Sequence, residues 1–401
     1  MESAHQLLGF TSVAGGGAAM SERTLRVRTG SRLHFGLMEL HPSSPHCYAG
    51  LGAMVEMPGL EMELNASNAA VDPTSIPIVE CSSALEERVH SVLARVQRLG
   101  AVTHLPDSIR FVSELPLHCG LGAGTQTACA LALALTEFDR FFEESRSLPE
   151  AGSNEKRVGE SLERSEGSCH RVSVAELAKL AGRGRRSAIG LQGVMSGGLV
   201  LDHGYQASRE TVRDRDPAGR SDTAGDRGTP SDEEALAVRS IQVQYALPKN
   251  AFHAVLVFSP PEKSYSGTME ASIIDQLGKI ANPNQPTMRR LAANAFSAFE
   301  ENDVARFGGV LDEYMELAAT LFAAGQGGMY VSETVEGIVR AVKSVGIHGV
   351  GQSSWGPTVF GFSGDAEQAE HSANQLRRLF PDGFAVLTTK VATSGLQMQW
   401  R

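Results

Sequence analysis

The stretch with the clearest chemical use runs Pro116-Leu117-His118-Cys119-Gly120-Leu121-Gly122-Ala123-Gly124-Thr125-Gln126-Thr127-Ala128. Three glycines in five positions permit positive φ angles and leave bare backbone for a ligand to approach. The apolar run from Cys129 to Phe138 behind them reads as a helix. Its free N–H groups and positive dipole end face the loop, an arrangement that binds phosphate oxygens. Thr125 and Gln126 add side-chain donors. No lysine follows the last glycine, so this is not a Walker loop, and it is not a G-x-G-x-x-G turn after a first parallel strand. An ordinary glycine-rich turn capping a helix is the competing use of such a run.

Other residues suit the same kind of ligand. Arg183, Arg185 and Arg186 concentrate positive charge in a glycine-interrupted loop, and arginine forks match phosphate and carboxylate oxygens. Arg32 and His34 alternate around Leu33, which places both on one side of an extended segment. Gln352, Ser353 and Ser354 put polar donors beside Gly349 and Gly351, and Trp355 either stacks on an aromatic ligand or fills the core. Asp202 follows a strand, where it is a metal ligand, a base or a surface turn residue. His41, His46 and Cys47 sit close together, as do His118 and Cys119. Neither group finds a third and fourth ligand at convincing spacing, so no metal ligands are assigned and zinc is disfavoured.

The elements that must position these residues can be read from pattern. Thr24 to Val27 opens an extended stretch, with strand and turn from Gly30 to Leu37. Leu60 to Leu64 alternates like a half-buried strand. Ser83 to Leu99 places Leu85, Val89, Val92, Leu93, Val96 and Leu99 on one helical face. Ile109 to Val112 is a short strand before the glycine loop. After residue 240 strands are expected at 242–247, 254–258, 358–362 and 385–391, and helices at 288–300, 304–323, 332–345 and 366–380. Several strand pairs look antiparallel, so the class is α+β.

A chain of 401 residues with 42% hydrophobic and 20% charged residues is long enough for two cored domains. The expected division is a disordered extension over 1–22, a first domain over 23–203 with a mobile insertion at 143–172, a disordered linker over 204–240, and a second domain over 241–401. Residues 208–234 hold almost nothing apolar to offset their ordering entropy. A net charge of −10 argues against nucleic-acid or anionic-membrane binding. No apolar run reaches the roughly 18–20 residues that span a bilayer. Five cysteines without a C-x-x-C pair, and no signal-peptide pattern at the start, fit a reducing, cytoplasmic setting.

Pro-x-x-x-Gly-Leu-Gly followed by small polar residues resembles the phosphate loop of the GHMP kinase superfamily. Members of that superfamily usually carry paired serines after Gly-Leu-Gly, where this chain has Ala123-Gly124. Three further segments narrow the resemblance: Ser31 to Leu37, Gly182 to Gly190 with Ser196 to Asp202, and Gly349 to Thr358. In this order they resemble the β-ribofuranosylaminobenzene 5′-phosphate synthases, from about Arg26 to the C-terminus. The resemblance implies a ribosomal-protein-like N-terminal domain and a ferredoxin-like C-terminal domain. It implies transfer of 5-phosphoribosyl 1-diphosphate to 4-hydroxybenzoate or 4-aminobenzoate, with loss of CO2 and pyrophosphate, in tetrahydromethanopterin biosynthesis. It also implies Mg2+ with the diphosphate and a homodimer.

On that reading Arg32, His34 and Arg185 are the catalytic candidates. Gly120, Leu121, Gly122, Ala123, Gly124, Thr125, Gln126, Arg183 and Arg186 bind the donor. Gly50, Gln352, Ser353, Ser354 and Trp355 line the acceptor pocket, Gly50 through the segment Tyr48 to Gly52. An ATP-dependent small-molecule kinase and an inactive nucleotide-binding relative are the alternatives. Ala123-Gly124 weighs against the first, and the arginine cluster against the second.

Overall fold

The computed structural model describes residues 23–66, 76–147, 172–205, 241–260, 267–380 and 382–401. The expected extension 1–22, most of the 143–172 insertion and nearly all of the 204–240 linker lie outside these residues.

Two sheets organise the chain. The first has seven strands among the described residues. Two long antiparallel strands, β1 (Arg23–Leu37) and β2 (Gly50–Ala66), form its centre. β4 (Ser108–Ser113) continues it on the far side of β2, followed by the parallel β3 (Ile78–Glu80). β5 (Leu199–Asp202) pairs with the other end of β2. The second sheet is antiparallel throughout, in the order β10 (Ala385–Lys390), β7 (His253–Phe258), β9 (Val359–Ser363), β8 (His348–Gln352). This is the α+β arrangement expected.

Two strands after residue 240 do not stay with the second sheet. β6 (Val243–Ala246) pairs with β5, and β11 (Gln397–Trp400), absent from the sequence reading, pairs with β1. Both fall within 241–401, expected as the second domain, yet pair with the first sheet. The outer edge of β1 is thereby paired by the C-terminal strand, and that of β5 by the first strand after residue 240.

Nine helices among the described residues accompany these sheets. α1 (Ser83–Arg98), α2 (Ala123–Ser147), α3 (Val174–Ala181) and α4 (Ile189–Ser196) accompany the first sheet. Cys129 to Leu135 of α2 are almost wholly buried, because its apolar run packs on every side. Residues 143–147, expected in a mobile insertion, are the last turns of α2. Further on, α5 (Gly267–Leu277), α6 (Gln285–Glu300) and α7 (Val304–Gln326) precede β8, with α6 and α7 against one face of the second sheet. The alternation within β7 shows why both faces are covered. Ala254 and Leu256 join the cluster of α6 and α7, while Val255 and Val257 join that of α8 (Glu333–Ser344) and α9 (Ala366–Leu379).

β1 links the two cores. Leu25 and Val27 belong to the cluster of α1, α2 and α3, whereas Leu33 and Phe35 belong to that of the second sheet. All four are odd-numbered, so an unbroken strand would point them one way. The register shifts between Thr29 and Ser31, and such an irregularity re-aims every later side chain. Arg32 and His34 thereby come to the seam between the cores.

Candidate active site

The glycine loop is held by the backbone of two distant segments. α2 begins at Ala123 rather than at Cys129, so Thr125 and Gln126 form its first turn and their N–H groups turn back to the Gly122 carbonyl. Gly120 (φ 82°) and Gly122 (φ 70°) occupy the left-handed region, which explains why both are glycine. The Arg32 N–H donates to the Leu121 carbonyl at 3.0 Å. Ser353 Oγ donates to the Gly120 carbonyl at 2.8 Å and accepts from the His34 N–H at 3.1 Å. Thr358 Oγ1 donates to the Cys119 carbonyl at 2.6 Å. A Cβ on Gly356 would lie 2.1 Å from the Gly120 nitrogen, so the two glycine segments meet backbone to backbone.

Three arginines rest on three glycines around this loop. Arg32 Nε lies 3.0 Å from where a Cβ on Gly122 would stand. Arg88 Nη1 occupies the Cβ position of Gly124, at 2.1 Å, and Arg95 Nε that of Gly182, at 2.8 Å. Burial pulls the Arg32 guanidinium down to about 10, with Glu270 acting in the opposite direction. Burial also lowers Arg88, and it lowers Arg183, where the charge of Arg88 adds to the effect. Arg32 Nε and Arg183 Nε are buried without a hydrogen-bond partner. Arg186 pairs with Glu270 at 3.1 Å, and Arg185 is exposed at the rim.

Arg32, Arg88, Arg183, Arg185 and Arg186, but not Arg95, line one wall of a cleft of about 1070 Å³. The opposite wall comes from α7 and its neighbours: Asp312, Met315, Glu316, Phe322, Tyr330 and Trp355. The cleft is thus polarised: guanidinium groups and helix amides dominate one side, with Glu270 paired to Arg186, and carboxylates with apolar rings dominate the other, with Lys343 paired to Asp312.

His34 is buried, and its Nδ1 accepts the Gly36 N–H at 3.1 Å. That bond fixes the neutral tautomer with the proton on Nε2. Burial, then the nearby Arg32 charge, holds its pKa well below the ordinary value. His34 enters the site as a hydrogen-bond donor. Arg32 and His34 both line the cleft, as their alternation predicts.

Several expected site residues serve elsewhere. Gln126 is wholly buried and absent from the cleft lining, because the early start of α2 turns it inward. Gly50 lies outside the cleft, where a Cβ would stand 2.9 Å from the Gly36 carbonyl oxygen; it permits close β1–β2 pairing. Ser353 is fully buried and braces the loop. The Gln352 amide accepts from the Val331 N–H and donates to the Ser354 carbonyl, although the residue borders the cleft. Trp355 is 8% exposed and meets Phe322 edge to face at 4.9 Å, so it is both core and cleft wall. Asp202 is fully buried; its carboxylate accepts from the N–H groups of Ala188 and Gly204 and so fastens the loop before α4. His46 contacts the His203 carbonyl and Arg289, and no group of three or more His, Cys, Asp or Glu among the described residues is arranged to hold a metal.

Sequence reasoning missed Arg88, Arg95, Glu270 and the carboxylates of α7. The available signal was weak: Arg88 and Arg95 stand seven apart beside the apolar face of α1, as many solvated arginines do.

No family profile matches the chain. Solved structures share its fold over most of their length. Mevalonate diphosphate decarboxylase from Staphylococcus aureus superposes with a TM-score of 0.55 at 12% identity, covering 94% of this chain and 98% of that one. Phosphomevalonate kinase from Streptococcus pneumoniae gives 0.54 at 13% identity, covering 92% and 99%. The chain therefore has the two-domain GHMP kinase fold. Among curated sequences, the β-ribofuranosylphenol 5′-phosphate synthase of Methanothermobacter thermautotrophicus is 24% identical over 342 residues, 84% of this chain and 88% of that protein. The chain is a homologue of the synthases bearing that name.

Proposed function

We propose that this protein is a decarboxylating phosphoribosyltransferase that joins 5-phosphoribosyl 1-diphosphate to 4-hydroxybenzoate or 4-aminobenzoate in methanopterin biosynthesis. The observation that carries the reading is the polarised cleft. Arg32, Arg183, Arg185 and the N-terminal end of α2 converge on one wall, where a donor with a phosphate at each end needs cations and amides. Its volume accommodates two small substrates together.

The chemistry requires little more than positioning and charge stabilisation. The anomeric C–O bond breaks with its electron pair leaving on pyrophosphate. The ring carbon that bears the carboxylate forms the new C–C bond to the ribosyl centre. Its bond to the carboxylate then breaks, CO2 departs, and the electron pair restores aromaticity. The amino or hydroxyl group para to that carbon supplies electron density for the attack. Glu316 stands on the acidic wall, where it accepts a hydrogen bond from that group; the neighbouring Asp312 is engaged by Lys343 at 3.5 Å and by the Val350 N–H at 3.1 Å. Arg185 and Arg183 bind the donor phosphates, and the His34 Nε2–H donates to an anionic oxygen beside Arg32.

No three metal-ligating side chains gather among the described residues, so Mg2+ would enter on the diphosphate and keep phosphate and water oxygens as most of its ligands. Glu270, beside Arg186 and within the field of Arg32, would be its protein ligand. Such an ion would supply charge neutralisation on the leaving diphosphate. A cytoplasmic homodimer completes the proposal.

The test supplies the purified protein with phosphoribosyl diphosphate, Mg2+ and either benzoate, and follows CO2 and pyrophosphate. Equal release of both supports the reading. Absence of CO2 together with ATP-dependent phosphorylation of an alcohol refutes it.

A further inference from the structure

Gly124 is not required by any turn. It lies in the first turn of α2 without a left-handed φ, and alanine would favour the helix more. What glycine provides there is room. A side chain at 124 would collide with the Arg88 guanidinium, which reaches across from α1 and lies against the helix N-terminus. That is an unfavourable place for a cation, because the helix dipole already presents positive charge. Arg183 lies close enough to add its own repulsion. Neither Arg88 nor Arg183 makes a side-chain ion pair among the described residues, and the buried Nε of Arg183 and Arg32 have no hydrogen-bond partner. An anion placed among them converts each of these repulsions into attraction.

We propose that Arg88 is the specificity-determining residue of the cleft: with Arg183 and the first amides of α2 it forms the subsite for a diphosphate group, and the glycine at 124 exists to admit it. The loop then presents a guanidinium where serine at 124 would present a hydroxyl and alanine a methyl. That selects a diphosphate leaving group held by a bidentate fork. The assignment to the donor's diphosphate rests on the phosphoribosyltransferase reading.

The test uses the full chain and inorganic pyrophosphate, with binding measured by calorimetry and unfolding followed separately. Arg88→Ala weakens pyrophosphate binding between about tenfold and a hundredfold, the range for a lost charge-assisted bond. Gly124→Ala produces a similar loss by pushing the flexible guanidinium aside, while its unfolding midpoint stays level or rises. The double variant binds no more weakly than Arg88→Ala alone. Arg88→Ala binding as tightly as the unchanged protein overturns the proposal, and so does a double variant whose loss is the product of the two single losses. If Arg88→Ala does not fold, Gly124→Ala decides: unchanged affinity there overturns the proposal. When the unchanged protein releases CO2 but either overturning result is found, only the role of Arg88 falls. When it neither binds pyrophosphate nor releases CO2, the reaction falls and this subsite with it.

Discussion

Ser353→Ala separates bracing of the glycine loop from contact with substrate. The Ser353 hydroxyl is fully buried between the His34 N–H, at 3.1 Å, and the Gly120 carbonyl, at 2.8 Å. Removing it leaves one buried donor and one part-buried acceptor without that partner. Each such group costs about 1–3 kcal/mol, so the variant loses roughly 2–4 kcal/mol after partial relaxation. Urea unfolding reads this as a lower midpoint with an unchanged slope. Because the lost bonds tie β1 to the loop, affinity for pyrophosphate falls as well. Ser363→Ala is the matched control. Ser363 is equally buried and its hydroxyl also serves the backbone, donating to the Asp365 carbonyl at 2.9 Å, but it lies at the far end of β9. It should lose comparable stability and keep pyrophosphate affinity. A Ser353→Ala protein that loses stability but binds pyrophosphate as tightly as the Ser363→Ala protein would refute the bracing argument.

Other perturbations probe the remaining groups. His34 has a folded pKa well below its unfolded value near 6.5, so as pH falls below 6.5 the unfolded chain takes up a proton that the folded chain refuses. Stability is fully present above that value and is lost below it, at up to about 1.4 kcal/mol per pH unit. His203 is shifted in the same direction, so the measurement is the difference in pH dependence between the unchanged protein and His34→Asn; identical slopes from pH 7.5 to 5.5 contradict the assignment. Arg185→Ala at the exposed rim weakens donor binding while leaving the unfolding midpoint in place; unchanged donor affinity removes it from the site. Glu316→Gln raises the KM for the benzoate without altering that for phosphoribosyl diphosphate, and an effect on the donor alone would place the acceptor elsewhere.

Sequence alone determined what depends on local chemistry. Three glycines before an apolar run specify an exposed helix N-terminus, because only that backbone leaves unpaired amides at a loop of positive φ. The alternation of Arg32 and His34 around Leu33 placed both on one face, since a strand has a period of two. The antiparallel α+β class and most element positions followed from periodicity in the same way. Tertiary structure decided which polar residues touch the cleft. Ser353, Gln352 and Asp202 are polar residues near glycines, like many ligands, yet each satisfies the backbone of a segment remote or folded back in sequence. Gln126 turned inward once α2 began at Ala123. Arg88 lies outside every motif. It became part of the site because α1 packs beside α2 and a glycine at 124 leaves space for its guanidinium. The same glycine that distinguishes this loop from a kinase's paired serines is explained by a neighbour 36 residues earlier in the chain. Such a pairing is set by how helices pack, which spacing along the chain does not encode.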